Sequence, residues 1–357
     1  MFGKGKNNMD KSQIDPQDMF GAIYRFPDQI KEALSIGKNI ELKNDLSKIR
    51  NIVLSGMGGS AIGGDVIKAI ISDELKIPFY VNRNYDLPNW IDEETLVICS
   101  SYSGNTEEAL GSYKDAVKKG VQICGISTGG KLSEQLVENG YDLIKIPGGL
   151  QPRAALAYSF VPILYLLNKI GLVSETIISE LNEAANTLES KRESYSVGES
   201  DNPIFKMAKE IYGMIPIIYG VTGTTGVVAL RWKGQLCENS KMLAYHNELP
   251  ELNHNEIVGW GNNPDLLSEL SVIWLRDKHD NPRIKERQDI TKEILNDMGI
   301  MQHEVRAEGN TKTERLLDLI NFGDWLSYWC AILHDTDPSP VKNIDRLKQA
   351  LEKMNYG

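Results

Sequence analysis

Two short apolar runs in this chain each stop at a loop of glycines or hydroxyl residues directly before a helical pattern. Ile52-Val53-Leu54 breaks into Ser55-Gly56-Met57-Gly58-Gly59-Ser60-Ala61-Ile62-Gly63-Gly64-Asp65. Leu96-Val97-Ile98-Cys99 breaks into Ser100-Ser101-Tyr102-Ser103-Gly104-Asn105-Thr106. A strand, a small-residue loop and a helix in succession are the unit of an open parallel sheet. In such a sheet the ligand crevice lies beyond the carboxyl ends of the strands, where helix N-termini aim free N–H groups at an anion. Two such loops, one Gly-rich and one Ser/Thr-rich, point to one phosphate held between them.

The pattern around these loops extends the α/β reading. Strands are predicted at 51–55, 78–82, 95–100, 121–126 and 141–146, with helices at 61–73, 106–119, 131–138 and 153–170. Residues 1–15 read as a flexible leader, and 19–46 as a helical region broken at Pro27. The stretch 173–200 reads as a connecting helix plus linker. A second alternation follows: a strand at 215–219, a Gly/Thr-rich turn at 220–226 and a long helix at 227–245. Strands at 256–259, 270–275 and 300–306 and helices at 284–298 and 311–335 complete it, with a short tail helix from about 343 in the segment 338–357. The strand, turn and helix at 215–245 echo those at 51–73, so two α/β units of related design are expected.

Charge and cysteine usage narrow the function classes. A formal charge of −10 argues against a nucleic-acid partner, which needs a basic stripe. Cys99, Cys124, Cys237 and Cys330 are far apart and form no C-x-x-C; a reducing compartment, the cytoplasm, is inferred. The polar N-terminus lacks a signal-peptide core, and the apolar segment 160–167 is too short to span a bilayer. No membrane partner is expected.

Several chemistries fit parts of the pattern. Gly56-x-Gly58-x-x-Ala61 has the spacing of a dinucleotide fingerprint, but the next strand runs into Asn82-Arg83-Asn84 and offers no acid for a ribose hydroxyl. Only an NADP-type site, using Arg83, survives. No Gly-Lys-Ser/Thr follows either turn, which excludes a Walker P-loop. Thr106 can act simply as a helix N-cap, yet Ser101, Ser103 and Thr106 opposite Ser60 are more hydroxyls than a cap requires.

Gly58-Gly59-Ser60 with Ser101-Tyr102-Ser103-Gly104-Asn105-Thr106 resemble the paired phosphate loops of the sugar isomerase (SIS) domain. Gln151-Pro152-Arg153-Ala154-Ala155, Cys237-Glu238-Asn239-Ser240-Lys241 and Leu252-Asn253-His254-Asn255-Glu256 resemble the bifunctional phosphoglucose/phosphomannose isomerases. The resemblance runs from about residue 20 to the end. It implies two SIS-type three-layer αβα sandwich domains, at 20–172 and 200–337, each around a parallel, flavodoxin-like sheet. It further implies an aldose–ketose isomerase interconverting glucose, mannose and fructose 6-phosphates through a cis-enediolate, with no metal or redox cofactor.

That chemistry needs a carboxylate base, a cation beside the developing oxyanion and a group that opens the ring. On the resemblance, Glu238 is the base, with Glu248, Glu251 and Glu256 as rivals on residue type alone. Arg153 stabilises the enediolate; at a helix start its charge gains nothing from the dipole, which favours a ligand role. His254 opens the ring, supplied by the partner in a homodimer, with His246 as the lesser candidate. Lys348, or Lys342 beside it, completes the site. Gly59, Ser60, Ser101, Ser103 and Thr106 hold the phosphate. His246, Glu248, Glu251 and His254 together match no zinc spacing. SIS domains also occur in non-catalytic sugar-phosphate regulators, which is the alternative reading. Dimerisation rests on the resemblance and on Trp325 and Trp329, which read equally well as core.

Overall fold

The computed structural model describes residues 11–199 and 201–354. The first half runs α1 (Lys11–Ile14), α2 (Met19–Tyr24), α3 (Phe26–Lys38), β1 (Asn51–Ser55), α4 (Gly58–Ile71), β2 (Phe79–Asn82), β3 (Thr95–Ser100), α5 (Glu107–Lys119), β4 (Gln122–Ser127), α6 (Gly130–Glu138), β5 (Asp142–Lys145) and α7 (Leu156–Lys169). After α8 (Glu175–Ser196) and α9 (Pro203–Glu210) come β6 (Ile215–Val221), α10 (Thr225–Asn239), β7 (Tyr245–Leu249), α11 (Pro264–Leu267) and β8 (Leu270–Arg276). The chain closes with α12 (Pro282–Asp297), β9 (Met301–Arg306), α13 (Lys312–Leu333) and α14 (Lys342–Leu351).

The first sheet is parallel throughout, in the order β2-β1-β3-β4-β5. Strand order reverses between β1 and β3, so the loops after those two strands flank the switch-point crevice, as the sequence predicts. Every residue of β3 is buried, because helices cover both faces of a parallel sheet. Alternate residues feed two cores: Ile52, Leu54, Leu96 and Ile98 point to one, Val53, Val97 and Cys99 to the other. The second sheet, β7-β6-β8-β9, is also parallel and repeats the design.

The larger core cluster runs without a break from the first sheet into the second. Helix α8 makes the crossing: its Ile177, Ile178, Leu181, Ala184, Ala185 and Leu188 are buried, and it packs on both α3 and α13. The stretch predicted as connecting helix and linker is therefore mostly structural core. Helix α13 is buried nearly all round, with Asp318, Asn321 and Asp324 among its buried residues. Trp325 and Trp329 lie inside it, with ring centroids 6.2 Å apart, and Phe20 of α2 meets Trp325 edge-on at 5.2 Å. Both tryptophans face the core and carry no information about a partner.

Several boundaries differ from the sequence reading. Part of the predicted leader is ordered: Asp15 is buried and accepts the Met19 and Phe20 N–H groups, both at 2.8 Å, at the start of α2. Leader residues 1–10 lie outside the described residues, as do Ser200 and the last three residues of the tail. The helical region breaks before Pro27 but ends at Lys38. Beyond it Lys43 and Asn44 bind the Asp142 carboxylate through their N–H groups, at 2.8 and 3.2 Å.

The helix expected to reach residue 245 stops at Asn239. Lys241 takes a left-handed conformation (φ 55°), and the Met242 N–H reaches back to the Leu236 carbonyl at 3.2 Å. The chain then forms β7, an edge strand. The strand expected at 256–259 is instead a 3-10 turn, Glu256–Gly261.

Candidate functional site

The loop after β1 enters α4 through glycines that other backbone segments crowd. A Cβ on Gly56 would lie 2.7 Å from the Ser100 carbonyl oxygen, and one on Gly59 would lie 2.7 Å from that of Pro152. Any side chain there would push apart the three segments that meet at this end of the sheet. Neither α4 nor α5 has a side-chain cap, so their first N–H groups keep their donors for another acceptor. Thr106 holds the N-cap position of α5 but its hydroxyl does not cap: its Oγ1 lies 2.9 Å from Ser101 Oγ. Ser101 Oγ also accepts the Gly104 N–H at 3.1 Å, and Ser103 Oγ that of Asn105 at 3.2 Å. Ser60 and Ser101 are buried, while Ser103 is exposed.

Beside this loop lies a cavity of about 160 Å³. The first domain lines it with Gly58, Gly59, Ile62, Arg83 and Arg153, and α10 supplies Leu230, Arg231, Lys233, Gly234, Gln235 and Glu238. Gly59, Arg153 and Glu238 are thus brought to one cavity from distant positions in the chain. Ser60, Ser101, Ser103 and Thr106 are not part of its wall; Ser60 follows the lining residue Gly59 directly in the chain.

Arg153 sits in a 3-10 turn, Pro152–Ala154, and is 5% exposed. Its Nη1 lies 3.4 Å from Glu238 Oε2; its Nε donates to Asn239 Oδ1 at 2.6 Å. Its Nη2 donates to the Pro338 and Ser339 carbonyls at 2.7 and 2.8 Å. Burial pushes the guanidinium below its ordinary pKa, Glu238 opposes that shift, and Arg231 adds to it. An arginine starts so high that it stays protonated at neutral pH.

Lys241 explains how a lysine holds the left-handed position that usually goes to glycine. Its Nζ lies within 3.3 Å of the carbonyl oxygens of Glu238, Asn239, Asp337 and Pro338. Burial, with Arg153 adding to it, pushes the Lys241 ammonium down to about 8. One lysine thereby ties the end of α10 to the segment that leads into α14.

Glu238 is separated from its rivals by what each carboxylate touches. Glu256 accepts from the Tyr219 hydroxyl and from Asn247 Nδ2, the latter at 2.6 Å; Glu251 accepts from Asn255 Nδ2 at 2.8 Å. Glu248 packs against Gly226, where a Cβ would fall 2.6 Å from its Cδ. Its carboxyl therefore packs against the first turn of α10. In that second Gly/Thr turn the hydroxyls are used locally: Thr225 Oγ1 accepts the Val221 N–H at 2.8 Å, and Thr224 Oγ1 donates to the Val221 carbonyl at 3.3 Å.

His254 and Lys348 stand apart from the cavity. His254 is exposed at the end of a 3-10 turn, Glu251–His254. Lys348 and Lys342 are both exposed on α14, a helix with no buried residue. His246 is half-buried, and burial holds its imidazole below the ordinary value. Among the described residues, no three His, Cys, Asp or Glu side chains gather as a group that could hold a metal ion.

Reading the sequence for reactive types missed the residues that support the pair. Arg231, Gln235 and Asn239 fall at i, i+4 and i+8 on α10 and are all buried. A polar stripe at helical spacing on an otherwise core-facing helix was the available signal. Arg231 holds Asp324 through Nε (3.1 Å) and Nη2 (2.7 Å), and Gln235 Nε2 donates to the same carboxylate at 2.9 Å. Arg83, paired with Asp65, lines the same cavity.

Comparison with known proteins bears on this arrangement. Residues 45–160 match the SIS domain family, and residues 200–351 match the bacterial phospho-glucose isomerase C-terminal SIS domain family. The bifunctional phosphoglucose/phosphomannose isomerase of Caldicellulosiruptor bescii is 45% identical over 338 residues, covering 94% of this chain and 99% of that protein. The protein of the same name from Aquifex aeolicus is 38% identical, covering 88% of this chain and 94% of its own. A crystal structure of a hypothetical protein from Thermus thermophilus superposes with a TM-score of 0.74 at 14% identity, over 97% of this chain and 92% of that one. At that identity the likeness speaks for the fold alone. Relatives this similar over nearly the whole chain, together with both SIS domains, place the chain in the bifunctional phosphoglucose/phosphomannose isomerase family.

Proposed function

We propose that this isomerase interconverts glucose 6-phosphate, mannose 6-phosphate and fructose 6-phosphate by moving a proton between C1 and C2 through a cis-enediolate. The observation that carries the reading is the meeting of Arg153 and Glu238, 85 residues apart in sequence, at 3.4 Å in the wall of one cavity beside the Gly59 loop. Glu238 is about one-third exposed and has solvent access from the cavity, as a base that takes and returns a carbon-bound proton requires. Arg153 is buried and cationic, suited to the charge that develops on the enediolate oxygen. Gly59, Ser60, Ser101, Ser103 and Thr106 hold the substrate phosphate through N–H and O–H donors at the ends of α4 and α5.

His254 opens the sugar ring and Lys348 completes the site, both reaching the cavity in a homodimer. What supports this is their exposure away from the cavity of their own chain, together with exposed Ile344 and Leu347 on α14. An exposed apolar face of this kind suits a second copy. The reaction belongs to the hexose-phosphate steps shared by glycolysis and gluconeogenesis, in the cytoplasm. All four cysteines are free, as in a reducing compartment. A non-catalytic sugar-phosphate regulator is not favoured, since the relatives that match the chain end to end are named as isomerases.

The test measures fructose 6-phosphate formed from glucose 6-phosphate and from mannose 6-phosphate, in chelator, for wild type and Glu238→Gln. Loss of a general base costs on the order of 10² to 10⁴ in rate. Activity on both sugars, lost in the variant with the fold intact, is expected. An inactive wild type that still binds the sugar phosphates would return the regulator. A single-chain mass in sedimentation velocity would remove the dimer from the reading.

A further inference from the structure

Arg153 can stabilise a developing oxyanion only if its guanidinium is aimed at the cavity and keeps its charge. These two needs conflict, because the usual way to aim a buried arginine is to pair it with a carboxylate. Here the groups that aim it are neutral. Asn239 accepts from Nε, and the Pro338 and Ser339 carbonyls accept from Nη2. The Nη1 edge is left facing Glu238 and the cavity.

The amide of Asn239 is itself fixed. Asn239 is fully buried, and its Nδ2 donates to Ser327 Oγ at 2.9 Å. The Ser327 hydroxyl spends its proton on the Asp324 carbonyl, at 2.7 Å. A hydroxyl has one proton, so toward Asn239 Ser327 can only accept. The amide nitrogen must therefore face Ser327 and the oxygen must face Arg153. The order Asp324, Ser327, Asn239, Arg153 sets both the direction of the guanidinium and the absence of a countercharge on its Nε side. By contrast, Arg231, one wall over, is held by the Asp324 carboxylate and is neutralised there.

From this geometry we infer that Asn239 is a positioning residue for the isomerisation, acting through Arg153 by holding its Nε with a neutral acceptor. The inference rests on the isomerase reading and deepens it: it assigns a role to a residue that does not line the cavity. Its sharpest test is Asn239→Asp, which keeps the size and the acceptor but sets a negative charge on Arg153 and gives Ser327 an acceptor where it needs a donor.

Three quantities are measured for wild type and variant: kcat and KM on glucose 6-phosphate, the melting temperature, and the binding of two probes. One probe is a 5-phosphorylated pentonohydroxamate, whose planar oxyanion mimics the enediolate. The other is a hexitol 6-phosphate, which carries the phosphate and hydroxyls but develops no charge. The expected result is a loss in kcat on the order of a hundredfold, the scale of one misplaced oxyanion donor. KM and hexitol affinity stay within about threefold, and hydroxamate affinity falls in parallel with kcat.

Wild-type kcat in the variant overturns the inference. So does equal weakening of both probes, which is the signature of a merely structural role. Should Asn239→Asp fail to fold, Ser327→Ala carries the same test. It removes the acceptor that anchors the amide nitrogen without adding charge, and a smaller but still selective loss of hydroxamate binding is expected, with an unselective loss counting against. A wild-type enzyme inactive on both sugars would sink the isomerase reading itself, a result distinct from either of these.

Discussion

Removing the Asp324 side chain is the sharpest test of how α13 is held to α10, the helix that lines the cavity. Asp324 lies on α13, and Arg231 on α10 holds it with two nitrogens while also donating to the Arg153 carbonyl at 3.0 Å. The side chains are 5% and 3% exposed. Asp324→Ala deletes two charge-assisted bonds and the Gln235 bond. Arg231 is then left buried with only the Arg153 carbonyl among these acceptors. Charge-assisted bonds contribute roughly 1.5–3 kcal/mol each, and stripping one partner from a buried ion pair costs roughly 3–5 kcal/mol. Both routes give a loss of about 4 kcal/mol. Asp324→Asn keeps one acceptor oxygen and should lose about half of that. Urea unfolding followed by tryptophan fluorescence measures it. Trp232 stacks on Phe322 of α13 at 5.5 Å and donates to the Leu319 carbonyl at 2.8 Å, so its emission reports this interface. The double variant Arg231→Met/Asp324→Leu should recover most of the loss, because the net worth of a buried pair over apolar packing is small. A loss below about 1 kcal/mol at unchanged urea slope would refute the reasoning and mean that cavity water solvates Arg231.

Three further outcomes follow from the geometry. His246, His303 and His334 are each held below the ordinary histidine value, with burial the largest cause. An unfolded chain binds those protons more readily near pH 6.5, so stability falls as pH drops from about 7 toward 5. The urea midpoint should decline over that window and decline less in His303→Gln; an unchanged slope in that variant would refute it. Gly59→Ala places a Cβ 2.7 Å from the Pro152 carbonyl oxygen, with backbone on both sides. It should displace Arg153 and lower kcat/KM by at least about tenfold. Gly58→Ala meets no atom within 4 Å but must hold φ +49°, which costs roughly 1–2 kcal/mol of stability. Steady-state kinetics with a melting curve separates the two.

What the sequence revealed follows the range of the interactions. The loops at 56–60 and 101–106 were legible because a strand, its small-residue turn and the next helix are contiguous, and they fall at the carboxyl ends of β1 and β3 as expected. Strand β7 was not. Tyr-His-Asn-Glu-Leu at a sheet edge buries only its last residue, so its composition carries no strand signal. The end of α10 was misread because its left-handed cap is Lys241, secured by carbonyls that arrive from residues 337–338, where local rules expect a glycine. The pairing of Arg153 with Glu238 depends on the packing of α4 against α10, which no local pattern encodes. The same holds for Asn239, whose role is set by Ser327, 88 residues away.

The carboxyl group of Glu248 against Gly226 has a consequence for how the duplicated design is used. Each half builds a strand, a glycine turn and a helix whose first N–H groups attract negative charge. At the start of α4 the face beside Gly59 is walled by the Pro152 and Arg153 backbone; at the start of α10 the face beside Gly226 is walled by the Glu248 side chain, from the neighbouring strand β7. The repeat is therefore unequal in its chemistry though similar in its backbone: one helix start is closed by main chain, and its twin, on the helix that presents Glu238, is closed by a carboxyl group.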